Sequence, residues 1–151
     1  MTTGELPLRI TVERPPRGVA IQVQRGRDDL LAPSRSSPEE ISFDFTVRLG
    51  APRSSGELRF LGEFAQGPPA ARFVYVNSGK RAGQSGTSWD RRAKVALGGI
   101  TTAQAERVLT HRRLVLEARI EGTAGDGGPM CGSVRLLGKG WTVSDAAARR
   151  G

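Results

Sequence analysis

Residues Ile41 to Leu49 alternate without a break: Ile41, Phe43, Phe45, Val47 and Leu49 are apolar, and Ser42, Asp44, Thr46 and Arg48 stand between them. Successive side chains of a β-strand point to opposite faces, so this segment must lie with one face in a core and the other towards water. Such a strand cannot stand alone, because its backbone N–H and C=O groups need partners along both edges. The rest of the chain must supply further strands. Leu8, Ile10 and Val12 alternate with Arg9, Thr11 and Glu13 until Pro15-Pro16 ends the run, and Val19, Ile21 and Val23 repeat the pattern. These two segments read as antiparallel neighbours joined through 14–18.

Residues 28–40 read as a polar loop rich in Ser and Pro, residues 58–64 as a short strand, and Gln66-Gly67-Pro68-Pro69 as a rigid corner. Residues 73–76 (FVYV) are apolar on both faces, the pattern of a central strand covered from both sides. Residues 77–94 read as a long loop, followed by a strand at 93–97. Thr101 and Gln104 have the spacing of a capping box, with Ala103, Ala105, Val108 and Leu109 behind them, which predicts one helix over 102–110. Leu114, Leu116, Ala118 and Ile120 predict a strand leaving that helix directly. Residues 122–129 form a Gly-rich turn, 131–137 return as its hairpin partner, and Trp141 and Val143 close the sheet. With 20 Gly and nine Pro as punctuation, the expected fold is mainly β with one α-helix. About eight antiparallel strands would form a small β-barrel or sandwich closed by the helix, with an open sheet as the alternative. One domain over 5–144 and a disordered tail over 145–151 complete the expectation.

Composition excludes several chemistries. No apolar run approaches the roughly 20 residues needed to span a bilayer, and the first eight residues have neither a basic start nor an apolar signal core, which points to a cytoplasmic protein with no membrane partner. Cys131 is the single cysteine and His111 the single histidine, so an internal disulfide cannot form and a zinc or haem site lacks its usual ligands. No cofactor or metal is expected. The formal net charge of +8 and pI near 11.1 raise the question of nucleic acid. The cations are scattered from Arg9 to Arg150, and only Lys80, Lys94 and Lys139 are lysines. That scatter argues against a dedicated phosphate-binding surface.

The motifs FDFTVR, FLGEFAQGPP, RFVYVNSG, AGQ, WDRRAKV, LGGIT and LEARIEGT through DGGPMC occur in one order from about Leu6 to Trp141. In this the chain resembles a bacterial family, domain of unknown function 5990. The resemblance implies no reaction, ligand or partner, so any function has to be read from the residues.

The densest group of hydrogen-bonding side chains follows the apolar strand at 73–76. Gly79, Gly83 and Gly86 allow backbone conformations that leave N–H groups free to face an anion, and Asn77, Ser78, Gln84, Ser88, Arg91, Arg92 and Lys94 surround them. If strand alternation persists, Phe73, Tyr75 and Asn77 share a face. Tyr75 would then place a phenol at the rim of a pocket, Trp89 an apolar wall, and Arg72 or Arg92 a positive charge. The candidate ligand-binding residues are Arg72, Tyr75, Asn77, Ser78, Gln84, Trp89, Arg91, Arg92 and Lys94. The competing reading is a solvated loop with Trp89 as a plug. Gly79 and Gly83 do not form a nucleotide loop, because no Lys-Ser/Thr pair follows them.

Asp126 lies in a Gly-Asp-Gly-Gly turn and reads as a turn residue before a cation ligand. Cys131 reads as a small buried hydrophobe before a nucleophile, and His111 as a cation favouring the helix C-terminus. Glu13, Asp44, Glu117 and Glu121 sit on outer faces, where cross-strand salt bridges to Arg9, Arg48 or Arg119 explain them better than paired-carboxylate hydrolysis. The leading expectation is a non-metallic binding module for a small anionic or polar molecule. The alternatives are a cofactor-free isomerase or cyclase using the same pocket, with Tyr75 as acid, and a basic module for nucleic acid or an acidic protein.

Overall fold

The computed structural model describes residues 3–15, 19–25, 30–51, 58–64, 72–81, 87–124 and 132–146. Ten strands run through them: β1 (Gly4–Glu13), β2 (Val19–Gln24), β3 (Leu30–Leu31), β4 (Arg35–Ser36), β5 (Glu40–Gly50), β6 (Arg59–Phe60), β7 (Phe73–Arg81), β8 (Thr87–Ala96), β9 (Leu114–Ala124) and β10 (Gly132–Asp145). A single helix, α1 (Thr102–Thr110), lies between β8 and β9. The strands form two sheets. The larger has the order β10-β9-β1-β5-β4, with β6 also pairing with β5, and the smaller has the order β3-β2-β7-β8.

The strict alternation at 41–49 forms β5 as expected. Phe43, Phe45, Val47 and Leu49 are buried, while Asp44, Thr46 and Arg48 are exposed. Across from it in antiparallel register lie Leu6, Leu8, Ile10 and Val12 of β1, all fully buried. From the smaller sheet Ile21, Val23, Val74, Val76 and Val95 join the same core, so one apolar layer is shared by both sheets. The helix begins where the capping box predicts, with the Thr101 hydroxyl accepting from the Gln104 N–H and the Gln104 side chain accepting from the Thr101 N–H. Such a cap contributes about 1 kcal/mol. Trp141 locks β10 to its surroundings: its indole N–H donates to the Ala96 carbonyl at 2.9 Å, and its own carbonyl accepts from the Gln104 amide at 3.0 Å.

Several expectations are corrected. β1 and β2 are not neighbours, because β1 lies between β5 and β9 and β2 pairs with β3 and β7 in the other sheet. Arg14, at φ 52°, turns the chain out of the larger sheet, and its N–H donates to the Glu39 carbonyl. The pairing is not wholly antiparallel, since β1 and β9 run parallel. The strands divide into two sheets and not into one ring, and there are ten described strands where about eight were expected.

The polar segment 28–40 contains β3 and β4, and 58–64 is a two-residue strand followed by a 3-10 turn at Gly62–Phe64. The central strand at 73–76 is fully buried only on the Val74 and Val76 side, and Phe73 and Tyr75 are half-exposed. β10 extends through Asp145, the first residue assigned to the tail, and the Ala146 N–H donates to the Arg113 carbonyl. The rest of the tail, the corner at 66–69, Asp126 and Cys131 lie outside the described residues.

The outer face of the larger sheet is lined with ion pairs. Arg9 Nε donates to Asp44 at 2.6 Å, and Arg35 approaches the same carboxylate at 3.3 Å. Arg119 pairs with Glu13 and with Glu117, and Arg14 pairs with Glu121. Asp44 and Glu13 therefore serve cross-strand salt bridges to Arg9 and Arg119, as the alternation implies, whereas Glu121 pairs with Arg14, Glu117 with Arg119 of its own strand, and Arg48 with none of the described residues.

Candidate functional site

The segment read as a long loop is the body of a β-hairpin. β7 carries the chain from Phe73 through Arg81, β8 returns from Thr87, and only 82–86, with Gln84, lie outside the described residues. Polar residues and Gly79 continue the strand because each has a ladder partner: Gly79 opposes Trp89, Ser78 opposes Arg91, Asn77 opposes Arg92 and Tyr75 opposes Lys94. The register slips between Ser78 and Gly79, leaving Asp90 as the extra residue of a bulge.

Phe73, Tyr75 and Asn77 do share a face, as alternation predicts. Directly opposed residues of a sheet also share a face, so Gln22, Gln24 and Lys94 join them. Asn77 is only 4% exposed, and its amide donates to the Gln22 and Gln24 side-chain oxygens, each at 3.2 Å. Lys94 Nζ lies 5.4 Å from the Phe73 ring centroid, within cation–π range, and the Tyr75 ring is 6.3 Å from that of Phe73. Arg72 is not brought to this face. It is buried at the start of β7, with its guanidinium 5.5 Å from the centroid of Phe60. Ser78, Trp89, Arg91 and Arg92 are placed by backbone register alone.

A concave volume lies elsewhere, at the free edge of β5. β4 pairs with β5 only at Ser42 and Ile41, and β6 only at Leu49 and Gly50, which leaves 43–48 between them without a strand partner on that side among the described residues. Four contacts fill part of the gap. The Ser34 N–H donates to the Ser42 carbonyl, the Asp44 N–H to the Ser34 hydroxyl, Arg25 Nη1 to the Thr46 carbonyl at 2.7 Å, and the Leu61 N–H to the Arg48 carbonyl. The remaining space is a cleft of about 290 Å³ lined by Glu5, Arg25, Thr46, Val47, Arg48, Leu61, Gly62 and Phe64. That is close to the lower bound for a metabolite pocket. Arg25 comes from the end of β2, so its guanidinium bridges the two sheets. Val47 and Phe64 are buried and supply an apolar floor.

Charge is distributed unevenly around this cleft. Along the outer face of β1, β5 and β9, Arg9, Glu13, Asp44, Glu117, Arg119 and Glu121 all sit in ion pairs. Arg48 is exposed and has no ion pair or side-chain hydrogen bond among the described residues, and the same holds for Glu5 directly opposite it in the register. Sequence reasoning placed Arg48 correctly on an outer face but could not find the cleft. Arg25 and Thr46 are 21 residues apart on different sheets, and no local pattern signals their contact.

A second cavity, of about 330 Å³, is lined by Leu58, Phe60, Leu97, Gly98, Ile100, Thr101 and Thr102. Its walls are mostly apolar, and the Thr101 hydroxyl is occupied by the helix cap. His111 is the exposed C-cap of α1, with its N–H donating to the Arg107 carbonyl. Among the described residues no three His, Cys, Asp or Glu side chains converge in a way that could hold a metal ion. No helix among them is long and apolar enough to cross a membrane.

Together these features define a mainly β protein of two sheets and one helix among the described residues, with a cleft at a gap in a sheet edge. The chain belongs to the family of unknown function DUF5990, whose family model matches residues 6–144. Neither the curated proteins nor the solved structures contain a match to it.

Proposed function

We propose that the protein is a non-metallic binding module for a small anionic or polar molecule, built on a sandwich-like scaffold, with the cleft beside β5 as its site. The observation that carries this reading is the unpaired Arg48 on a face where neighbouring charges are paired. Arg25, already anchored to the Thr46 carbonyl, adds a second guanidinium whose position is set before any ligand arrives, which lowers the ordering cost of binding. Two forked guanidinium groups suit a carboxylate or phosphate.

Inorganic phosphate and short aliphatic carboxylates should raise the melting temperature, with a gain of about 2.7 kcal/mol at a hundred times Kd. Arg48→Ala should weaken that binding roughly tenfold, the loss of one charge-assisted contact. Absence of stabilisation by every anion tested would remove this reading.

A second reading belongs to the β7–β8 hairpin. The register puts Arg81, Arg92 and Lys94 at positions that share the face of Phe73 and Tyr75. Phe73 and Tyr75 are half-exposed beside Lys94, which favours a single-stranded nucleic acid lying along this face. Fluorescence anisotropy with a labelled oligonucleotide tests it. Binding should weaken by roughly twentyfold between 50 and 200 mM salt if about three phosphates are neutralised, whereas affinity independent of salt excludes a phosphate-driven contact.

A further inference from the structure

We infer that the cleft beside β5 selects amino-carboxylates with an apolar side chain, a conclusion that rests on the anion-binding reading above. Glu5 and Arg48 are direct cross-strand partners on β1 and β5, and both point outward, since their neighbours Leu6 and Val47 are buried in the core. Opposite charges at such positions ordinarily pair. These two make no ion pair with each other or with any other described residue, so the cleft presents one cation and one anion side by side.

A plain carboxylate or phosphate satisfies Arg48 but brings its negative charge close to Glu5. A ligand with an ammonium group adjacent to its carboxylate satisfies both at once, and the repulsion becomes an attraction. Among the described lining residues two guanidiniums stand with one carboxylate, which disfavours a divalent cation or a simple amine. Val47, Leu61 and Phe64 also line the cleft, so an aliphatic side chain gains apolar contact there.

Three probes of one carbon skeleton separate these contributions: L-leucine, isocaproate, which lacks the amine, and isoamylamine, which lacks the carboxylate. Each is titrated by calorimetry into the full chain and into Glu5→Gln and Arg48→Gln, both at exposed positions. The wild type should bind leucine roughly tenfold more tightly than isocaproate and bind isoamylamine least, since each charged contact of this kind is worth about a factor of ten. Glu5→Gln should erase the preference for leucine while isocaproate binds as well as before or better. Arg48→Gln should weaken leucine and isocaproate alike. Equal binding of leucine and isocaproate by the wild type, or a preference that survives Glu5→Gln, overturns the amino-carboxylate inference and leaves anion binding standing. If neither isocaproate nor inorganic phosphate binds, the anion-binding reading itself fails.

Discussion

Phe43→Ala is expected to destabilise the protein by about 3–5 kcal/mol, the usual cost of removing a fully buried aromatic side chain. Phe43 is fully buried at the centre of β5. Its register partner is Ile10 of β1, and both belong to the apolar layer that the two sheets share. Truncation to alanine removes contacts on every side, and the surrounding strands cannot collapse into the space without breaking their ladders. A domain of this size has roughly 5–15 kcal/mol of stability in total, so the loss is a large fraction of it. In urea unfolding the midpoint should fall sharply with the slope nearly unchanged, and the melting temperature should drop by roughly 10 °C. Phe43→Leu, which keeps most of the volume, should cost about 1–2 kcal/mol. Glu106→Ala, on the exposed side of α1, should stay within about 0.5 kcal/mol of the wild type. A Phe43→Ala protein as stable as that control would mean that the two sheets do not close over one core.

The same burial explains what could be read from the sequence. Alternation at 41–49 and at 8–12 is legible because a one-residue slip would turn every core side chain to solvent, so these patterns permit one orientation. The helix is legible for a different reason. Thr101 and Gln104 satisfy each other's backbone groups within one turn, and that contact needs nothing from the rest of the chain. Partner choice is another matter: alternation states which face is buried but not which strand lies alongside. The parallel pairing of β1 with β9 therefore leaves no local mark.

The hairpin at 73–96 was obscured by its own composition. Tyr75, Asn77 and the residues around Gly79 are polar or small, and a run of such residues is indistinguishable by composition from a loop. What places them is the ladder to β2 and β8. The candidate residues within β7 and β8 share a sheet, but Arg72 leaves them for Phe60 because it lies on the core-facing side of the alternation. The cleft is further from reach still, since it arises from an absence, the six residues of β5 that neither β4 nor β6 covers. Its charged walls come from three strands or strand ends in two sheets, and only folding brings Glu5, Arg25 and Arg48 together.

The second large effect is expected on the outer face of β9. Glu117→Ala should cost about 3 kcal/mol, because it strips a buried network of its central acceptor. The Glu117 side chain is only 6% exposed, one oxygen accepts from the Thr11 hydroxyl at 2.7 Å, and the other faces Arg119 Nη1 at 3.4 Å. Breaking one buried pair typically costs about 3–5 kcal/mol. The lower end applies here because Arg119 keeps Glu13 as a second partner, while Thr11, itself 2% exposed, loses the acceptor of this hydrogen bond. Glu117→Gln retains an oxygen for that hydroxyl and should cost about 1–2 kcal/mol. Thr11→Val removes the donor without changing the shape of the site. A double-mutant cycle with Glu117→Gln should then return a coupling of about 1 kcal/mol, since the two residues touch. Thr11→Val combined with Glu117→Met should be more stable than Glu117→Ala alone, because an apolar pair fills the site and leaves no orphaned hydroxyl. If Glu117→Ala stays within about 0.5 kcal/mol of the wild type in urea unfolding, the carboxylate is not buried as its neighbours require, and the closed polar face that sets Arg48 and Glu5 apart loses its basis.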